Sequence, residues 1–233
     1  MINRRYCGPP GLANGGYAAG LLAEQLGGGA VEVTLRRPTP VGVRLRIETG
    51  VEGLGIVRDG VGVVAEARRV AHFDCRPPEV PWDDIVVAED QPYAGAEGFG
   101  GCFACGRDVP RDHSLGVFPR LVRDAGAVGC RWRPPAWATD RYARALERFV
   151  WAALDCSGGF ALELAGPAVP VMTGRITAEV LRAPRAGEPC AVLGWQSGSE
   201  GRKHFVQSAV VSRQGGTLAY ATAVWLEVPR ASY

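Results

Sequence analysis

The sequence holds a single lysine, Lys203, and three histidines, His72, His113 and His204. No histidine sits in a recognisable catalytic triad, and no Walker loop, GxGxxG or HExxH pattern is present. The chain has little net charge. Its 26 basic and 24 acidic residues leave +2 at pH 7, which points to no polyanion surface and so to no nucleic-acid partner. It lacks any run approaching the ~20 apolar residues of a membrane span. Near the start, Arg4 and Arg5 lead into Cys7-Gly8-Pro9-Pro10 with no apolar segment of a secretory signal. A cytoplasmic protein with no membrane partner is the expectation. Seven cysteines, an odd number in a chain too large to need covalent staples, fit reduced thiols in that compartment.

Glycine and proline are abundant. The 32 glycines and 17 prolines make up about a fifth of the 233 residues. That favours turns and short strands over a helical bundle. Hydrophobic residues at 47% and charged residues at 21% are ordinary for a globular protein, and the length suffices for a sizeable core.

Residues 14–26 read as a helix, with Asn14 as N-cap and Gly27-Gly28-Gly29 as its end. Alternating apolar positions then predict strands at 31–36, 43–48, 51–58 and 61–73, the last two joined by the hairpin turn Asp59-Gly60. An acidic, proline-rich connector follows at 77–100, with Asp83, Asp84, Glu89, Asp90 and Pro92. Beyond it, strands are predicted at 115–122 and 127–133, and a helix at 141–164 interrupted near Ser157-Gly158-Gly159. Four more strands are expected at 171–181, 189–197, 203–213 and 217–228. The order of one helix and then four strands thus occurs twice. Gly15-Gly16-Tyr17-Ala18 matches Gly158-Gly159-Phe160-Ala161 at an offset of 143. Leu35-Arg36-Arg37-Pro38-Thr39-Pro40-Val41-Gly42 resembles Val180-Leu181-Arg182-Ala183-Pro184-Arg185-Ala186-Gly187, with Pro40 pairing with Pro184 at an offset of 144. A duplicated unit explains both matches. The expected boundaries are 1–76 and 101–233 around the connector.

One helix wrapped by an antiparallel meander and opening on Gly-Gly resembles a hotdog unit. Two of them in one chain resemble the double-hotdog acyl-CoA thioesterases. Cys102-Phe103-Ala104-Cys105-Gly106 followed by Leu115-Gly116 is similar to the opening of many thioesterase-superfamily hotdogs. Ala153-Leu154-Asp155-Cys156-Ser157-Gly158-Gly159 resembles their catalytic helix start. The resemblance implies an α+β double hotdog acting on an acyl-CoA or acyl-carrier-protein thioester, without cofactor or metal. Association of two such chains stays open.

Thioester hydrolysis needs a base for water and donors for the developing oxyanion. Helix-terminal N–H groups beside glycine meet the second need. The candidates are Gly15, Gly16 and Tyr17 after Asn14, and Ser157, Gly158 and Gly159. Asp155, among Trp151, Leu154 and Phe160, is the candidate base, and a helix cap is its structural alternative. Asn14 serves either as an N-cap or in catalysis. The related double hotdogs use an Asp–Thr–Gln set. The resemblance puts the Asp at Asp155, the Thr at Thr173 or Thr177, and the Gln where Val224 stands. That missing amide leaves open a non-catalytic acyl-thioester binder. A hotdog dehydratase or hydratase ranks lower, because no histidine lies near either Gly-Gly pair. Arg36, Arg37, Arg182, Arg185, Arg202 and Lys203 are candidates for CoA phosphates or solvated strand-edge charges. Trp132, Trp137, Trp151, Trp195 and Trp225 can line an acyl tunnel or fill the core. Cys102 and Cys105 form a lone CxxC. Zinc there would need two further ligands, for which Cys75, His72 and His113 are conceivable. Cys156 reads as a small buried filler rather than a nucleophile.

Overall fold

The computed structural model describes residues 1–50, 54–86, 99–165 and 170–229. Part of the connector, with Glu89, Asp90 and Pro92, lies outside the described residues, as do positions 51–53 of a predicted strand. The described chain is α+β. Two helices, α1 (Gly15–Gln25) and α2 (Glu147–Ala165), pack on one antiparallel sheet of ten strands.

The strands are β1 (Val31–Leu35), β2 (Arg46–Thr49), β3 (Leu54–Arg58), β4 (Val63–Arg69), β5 (Arg120–Val122), β6 (Ala127–Trp132), β7 (Val171–Val180), β8 (Cys190–Glu200), β9 (Lys203–Ser212) and β10 (Thr217–Glu227). Their order in the sheet is β2-β3-β4-β1-β7-β10-β9-β8-β6-β5. After α1 the spatial sequence from the seam outward is β1, β4, β3, β2. After α2 it is β7, β10, β9, β8. The two halves meet where β1 pairs with β7, and Val33 there faces Ile176, the residue 143 positions further on.

Local chemistry explains these elements. Asn14 has extended backbone (ψ 132°), and its side-chain oxygen accepts the Tyr17 N–H at 2.9 Å, capping α1. Gly60, at φ +91°, makes the turn between β3 and β4, and Asp59 accepts the Val61 and Gly62 N–H groups. Buried Val31 and Val33 alternate with more exposed neighbours in β1, as a half-covered strand requires. β2 begins only at Arg46, because the bend at 41–43, with Gly42 at φ +72°, takes up the start of the expected strand.

Helix α2 is continuous for 19 residues, without the break expected at Ser157-Gly158-Gly159. Glycine inside a helix costs ~1 kcal/mol, and close packing accounts for these two. A Cβ on Gly159 would lie 2.8 Å from the Trp225 ring, and one on Gly158 would lie 3.0 Å from Val206. Gly194 on β8 is tighter still against the Ser157 carbonyl. On the opposite side, Gly16 and Gly20 of α1 bring the helices together, antiparallel. A Cβ on Gly20 would lie 2.5 Å from the Arg148 Cα. Residues 73–85, which include the start of the connector, cover the other face of the sheet. Ile85 packs there with Ala191, Leu193, Ala209, Val211 and Tyr220.

Candidate functional site

Asp155 lies in the middle of α2 and is 4% exposed. Its Oδ2 accepts the backbone N–H of Gly16 at 2.8 Å, and its Oδ1 accepts the hydroxyl of Thr173 on β7 at 2.7 Å. Gly16 is the second residue of α1, so one helix carries the carboxylate and the other supplies a terminal N–H. Only glycine fits at 16, because a Cβ would run into the Asp155 side chain and the Trp151 carbonyl. Burial pushes the Asp155 carboxyl up to about 6, against the opposing effect of the Thr173 and Gly16 hydrogen bonds.

The first turn of α1 is otherwise committed. Tyr17 N–H goes to the Asn14 side chain, and Ala18 N–H to the Asn14 carbonyl at 3.0 Å. The Gly15 N–H has no partner among the described residues. A Cβ at Gly15 would lie 3.2 Å from the Asp155 carboxylate. Gly15, Asp155 and Thr173 line one cavity of about 780 Å³, together with Asn14, Cys102, Cys105, Cys156 and Trp225. Two buried polar atoms of its lining residues, Thr39 Oγ1 and Trp225 Nε1, have no hydrogen-bond partner. A ligand in the cavity could satisfy them.

The structure therefore brings together Asn14, Gly15, Gly16, Asp155 and Thr173. Thr177 does not join them: it pairs within the sheet with Glu32 and Thr222. Tyr17 stacks on Tyr6 at 4.5 Å, contributing an aromatic core and not a site group. Ser157, Gly158 and Gly159 open no helix. The Ser157 hydroxyl bonds the carbonyls of Ala153, Leu154 and Leu193, and the N–H groups of all three residues belong to the interior of α2. Of the three, only Gly159 reaches the cavity wall. The structural counterpart of the Asn14 to Gly16 cap is the start of α2 at Glu147. Leu12 bridges Pro40 before α1 as Arg144 bridges Arg185 before α2. A second contact mirrors the first: Glu24 of α1 accepts the Arg148 N–H at 3.1 Å.

Val224, where an amide was sought, does not line the cavity. β10 presents Trp225 there instead. Trp225 is also the only tryptophan among the described lining residues; Trp132 and Trp151 are buried in the core. Arg36 and Arg37 line the cavity on its exposed side, paired with Glu66 and Asp59. Arg182 pairs with Glu188 elsewhere.

The group that sequence reasoning missed is a thiol cluster. Cys102, Cys105 and Cys156 have sulfurs within 4.8 Å of one another. Cys102 and Cys105 lie three positions apart in the chain, but only the fold adds Cys156. Hydrogen bonds from the other two thiols hold the Cys102 thiol well below its ordinary range, while Cys156 is held well above it. Cys75, Cys130 and Cys190 lie apart, each pushed up to about 12 by burial.

No protein-family model matches this sequence, and no curated protein matches it. Solved structures do. A conserved protein of unknown function from Alicyclobacillus acidocaldarius, described as having the hot dog fold, superposes with a TM-score of 0.61 at 17% identity, covering 99% of this chain and 92% of that one. This chain has the hotdog fold. The tesB protein of Mycobacterium avium subsp. paratuberculosis gives 0.55 at 14% identity over 94% of this chain and 88% of that one. A protein from Novosphingobium aromaticivorans, provisionally assigned as a thioesterase, gives 0.57 at 16% identity over 95% and 91%. At these identities the likeness establishes the hotdog fold and leaves activity to the site.

Proposed function

We propose that this chain is a double hotdog that hydrolyses acyl thioesters, with 1–76 and 101–233 as its two units and 77–100 as the connector. The repeated strand order on either side of the β1–β7 seam supports the duplication. The observation that carries the activity is Asp155. It is a buried carboxylate fixed by Gly16 and Thr173, and it lines a cavity with an uncommitted helix-terminal N–H at Gly15.

In this reading the thioester carbonyl oxygen points at the Gly15 N–H. Each Asp155 oxygen still has a free lone pair, so one can accept a proton from water. Water adds to the carbonyl carbon as Asp155 takes that proton. Gly15 N–H, at the positive end of α1, stabilises the oxyanion. Collapse breaks the C–S bond, and the thiol leaves with the proton held by Asp155. Arg36 and Arg37 suit the phosphates of a CoA carrier, and the apolar wall around Phe160, Leu162 and Trp225 suits the acyl chain.

The test is free-thiol release from acyl-CoAs of graded length, with acyl-pantetheine as the carrier-free comparison. Turnover of at least one is expected. Saturable binding without turnover across the panel would instead establish the acyl-thioester binder, the reading favoured by Val224 standing in place of the expected amide. Neither binding nor turnover would exclude both.

Thr173→Val gives a sharper result. It removes one of the two hydrogen bonds that orient the carboxylate, and a bond to a charged group contributes ~1.5–3 kcal/mol. kcat/KM should fall about tenfold or more, and Thr173→Ser should restore most of it. Equal rates for Val and Ser would show that the hydroxyl does not act on Asp155.

A further inference from the structure

The thiol cluster lies outside the hydrolytic reading, since no step of that chemistry uses it. Its three sulfurs lie within 4.8 Å of one another. Three thiolates around one tetrahedral zinc ion, at Zn–S of about 2.3 Å, stand ~3.8 Å apart. The observed spacing is therefore close to a ligand set, and about an ångström of contraction would complete it.

The surroundings favour sulfur carrying negative charge. The Asn14 side-chain amide donates to Cys156 Sγ at 3.4 Å and to Cys102 Sγ at 3.8 Å. Neutral thiols accept weakly, so an amide aimed at two of the three sulfurs suits metal-bound thiolates, which such outer contacts orient. The turn that carries Cys102 and Cys105 is rigid. Gly106 N–H closes on the Cys102 carbonyl at 2.6 Å, and a Cβ on Gly106 would strike the Cys102 and Gly100 backbone. Bonds from Phe103 N–H to Cys7 O, and from Leu115 N–H to Phe103 O, pin it from both sides. Cys156 comes from α2, a separate rigid element.

We propose that Cys102, Cys105 and Cys156 bind one soft divalent cation, Zn²⁺, with its fourth position open to the cavity. Thiolate ligands select zinc over hard cations. Asp155 is not part of the cluster, and its carboxylate is held by Gly16 and Thr173. All three cysteines line the cavity, so water or a ligand atom can take that place. Three protein ligands and one exchangeable position is the arrangement of a reactive zinc site, whereas purely structural sites close all four. Binding converts three thiols to thiolates and releases their protons to solvent. The resulting site carries one net negative charge, which the Asn14 amide partly offsets.

The proposal is independent of the hydrolytic reading, and its test does not depend on activity. Chelator-treated, fully reduced protein is titrated with Co²⁺ under anaerobic conditions. Sulfur-to-cobalt charge-transfer bands and intense visible bands of tetrahedral cobalt should saturate at one equivalent and vanish when Zn²⁺ is added. Cys105→Ser and Cys156→Ser should each weaken Co²⁺ binding at least tenfold. Cys75→Ser, outside the cluster, should not. The wild-type titration stands on its own if a variant fails to fold. Absence of sulfur-to-cobalt bands with all thiols reduced would overturn the proposal, as would bands that survive Cys156→Ser. A Cys102–Cys105 disulfide in air-isolated protein, with no metal uptake after its reduction, would make the cluster a redox pair instead.

Discussion

Asp155→Asn should lower thiol release by ~10²–10⁴-fold, the usual contribution of a positioned general base, and leave the fold intact. The two parts of that expectation rest on different atoms. Asn is nearly isosteric with Asp, and its carbonyl oxygen can still accept the Gly16 N–H. Its NH₂ can donate to the Thr173 oxygen, whose hydroxyl rotates to suit. Both contacts across the α1–α2–β7 junction therefore survive in altered form, and the Tm should stay close to that of the parent. An amide, however, cannot take a proton from water at neutral pH. The comparison is kcat/KM and Tm of the two proteins measured side by side. Undiminished turnover removes Asp155 from the chemistry. A collapse of Tm together with activity assigns it to structure.

Gly20→Ala should destabilise the protein by ~1–2 kcal/mol or more, although alanine is the better helix former by about 1 kcal/mol. The new methyl would lie 2.5 Å from the Arg148 Cα and 2.9 Å from the Trp151 Cβ, where carbon atoms normally keep ~3.5–4.0 Å. Neither partner is the tip of a flexible chain. Relief means moving one helix away from the other, and each is tied down: α1 by Gly16 to Asp155 and by Glu24 to Arg148, α2 by Gly194 beneath it. Overpacking of this sort costs ~1–3 kcal/mol. Urea denaturation with an unchanged m-value should show the lower midpoint. A rise in midpoint would mean that the helices have room the structure does not show.

Much of the framework was legible in the sequence because its signals are local. Asn14 caps where a side-chain acceptor is needed, Asp59-Gly60 turns where positive φ is needed, and alternation in 31–35 and 171–180 places strands to within a few residues. The helix start at Ser157-Gly158-Gly159 failed for a physical reason. Glycine permits a turn and permits close packing by the same lack of a Cβ, and only the neighbours tell the two apart. At 15 and 16 the neighbours are Thr173, Asp155 and Trp151, packed against the first turn of α1. At 158 and 159 they are Val206 and Trp225 pressing on a helix interior. The Gly-Gly match at offset 143 thus pairs residues with different roles, even though Val33 and Ile176, at the same spacing, do meet at the seam. Asp155 was within reach, since the resemblance named it, while the resemblance left the threonine between Thr173 and Thr177. The thiol cluster was not, because Cys156 lies some fifty residues beyond Cys105 and joins it through tertiary packing alone.

The seam between β1 and β7 is internal to one chain. Two identical hotdog subunits meeting in this way would have to carry every residue twice, once on each side of their axis. Here each position is encoded separately. One side pairs an aspartate with a glycine N–H beside a cavity. The other pairs a glutamate with an arginine N–H, and the Arg148 guanidinium lies 3.4 Å from the same Glu24 carboxylate. Encoding both contacts in one chain lets them differ, one beside an open pocket and the other in an ion pair that fastens the two helices together.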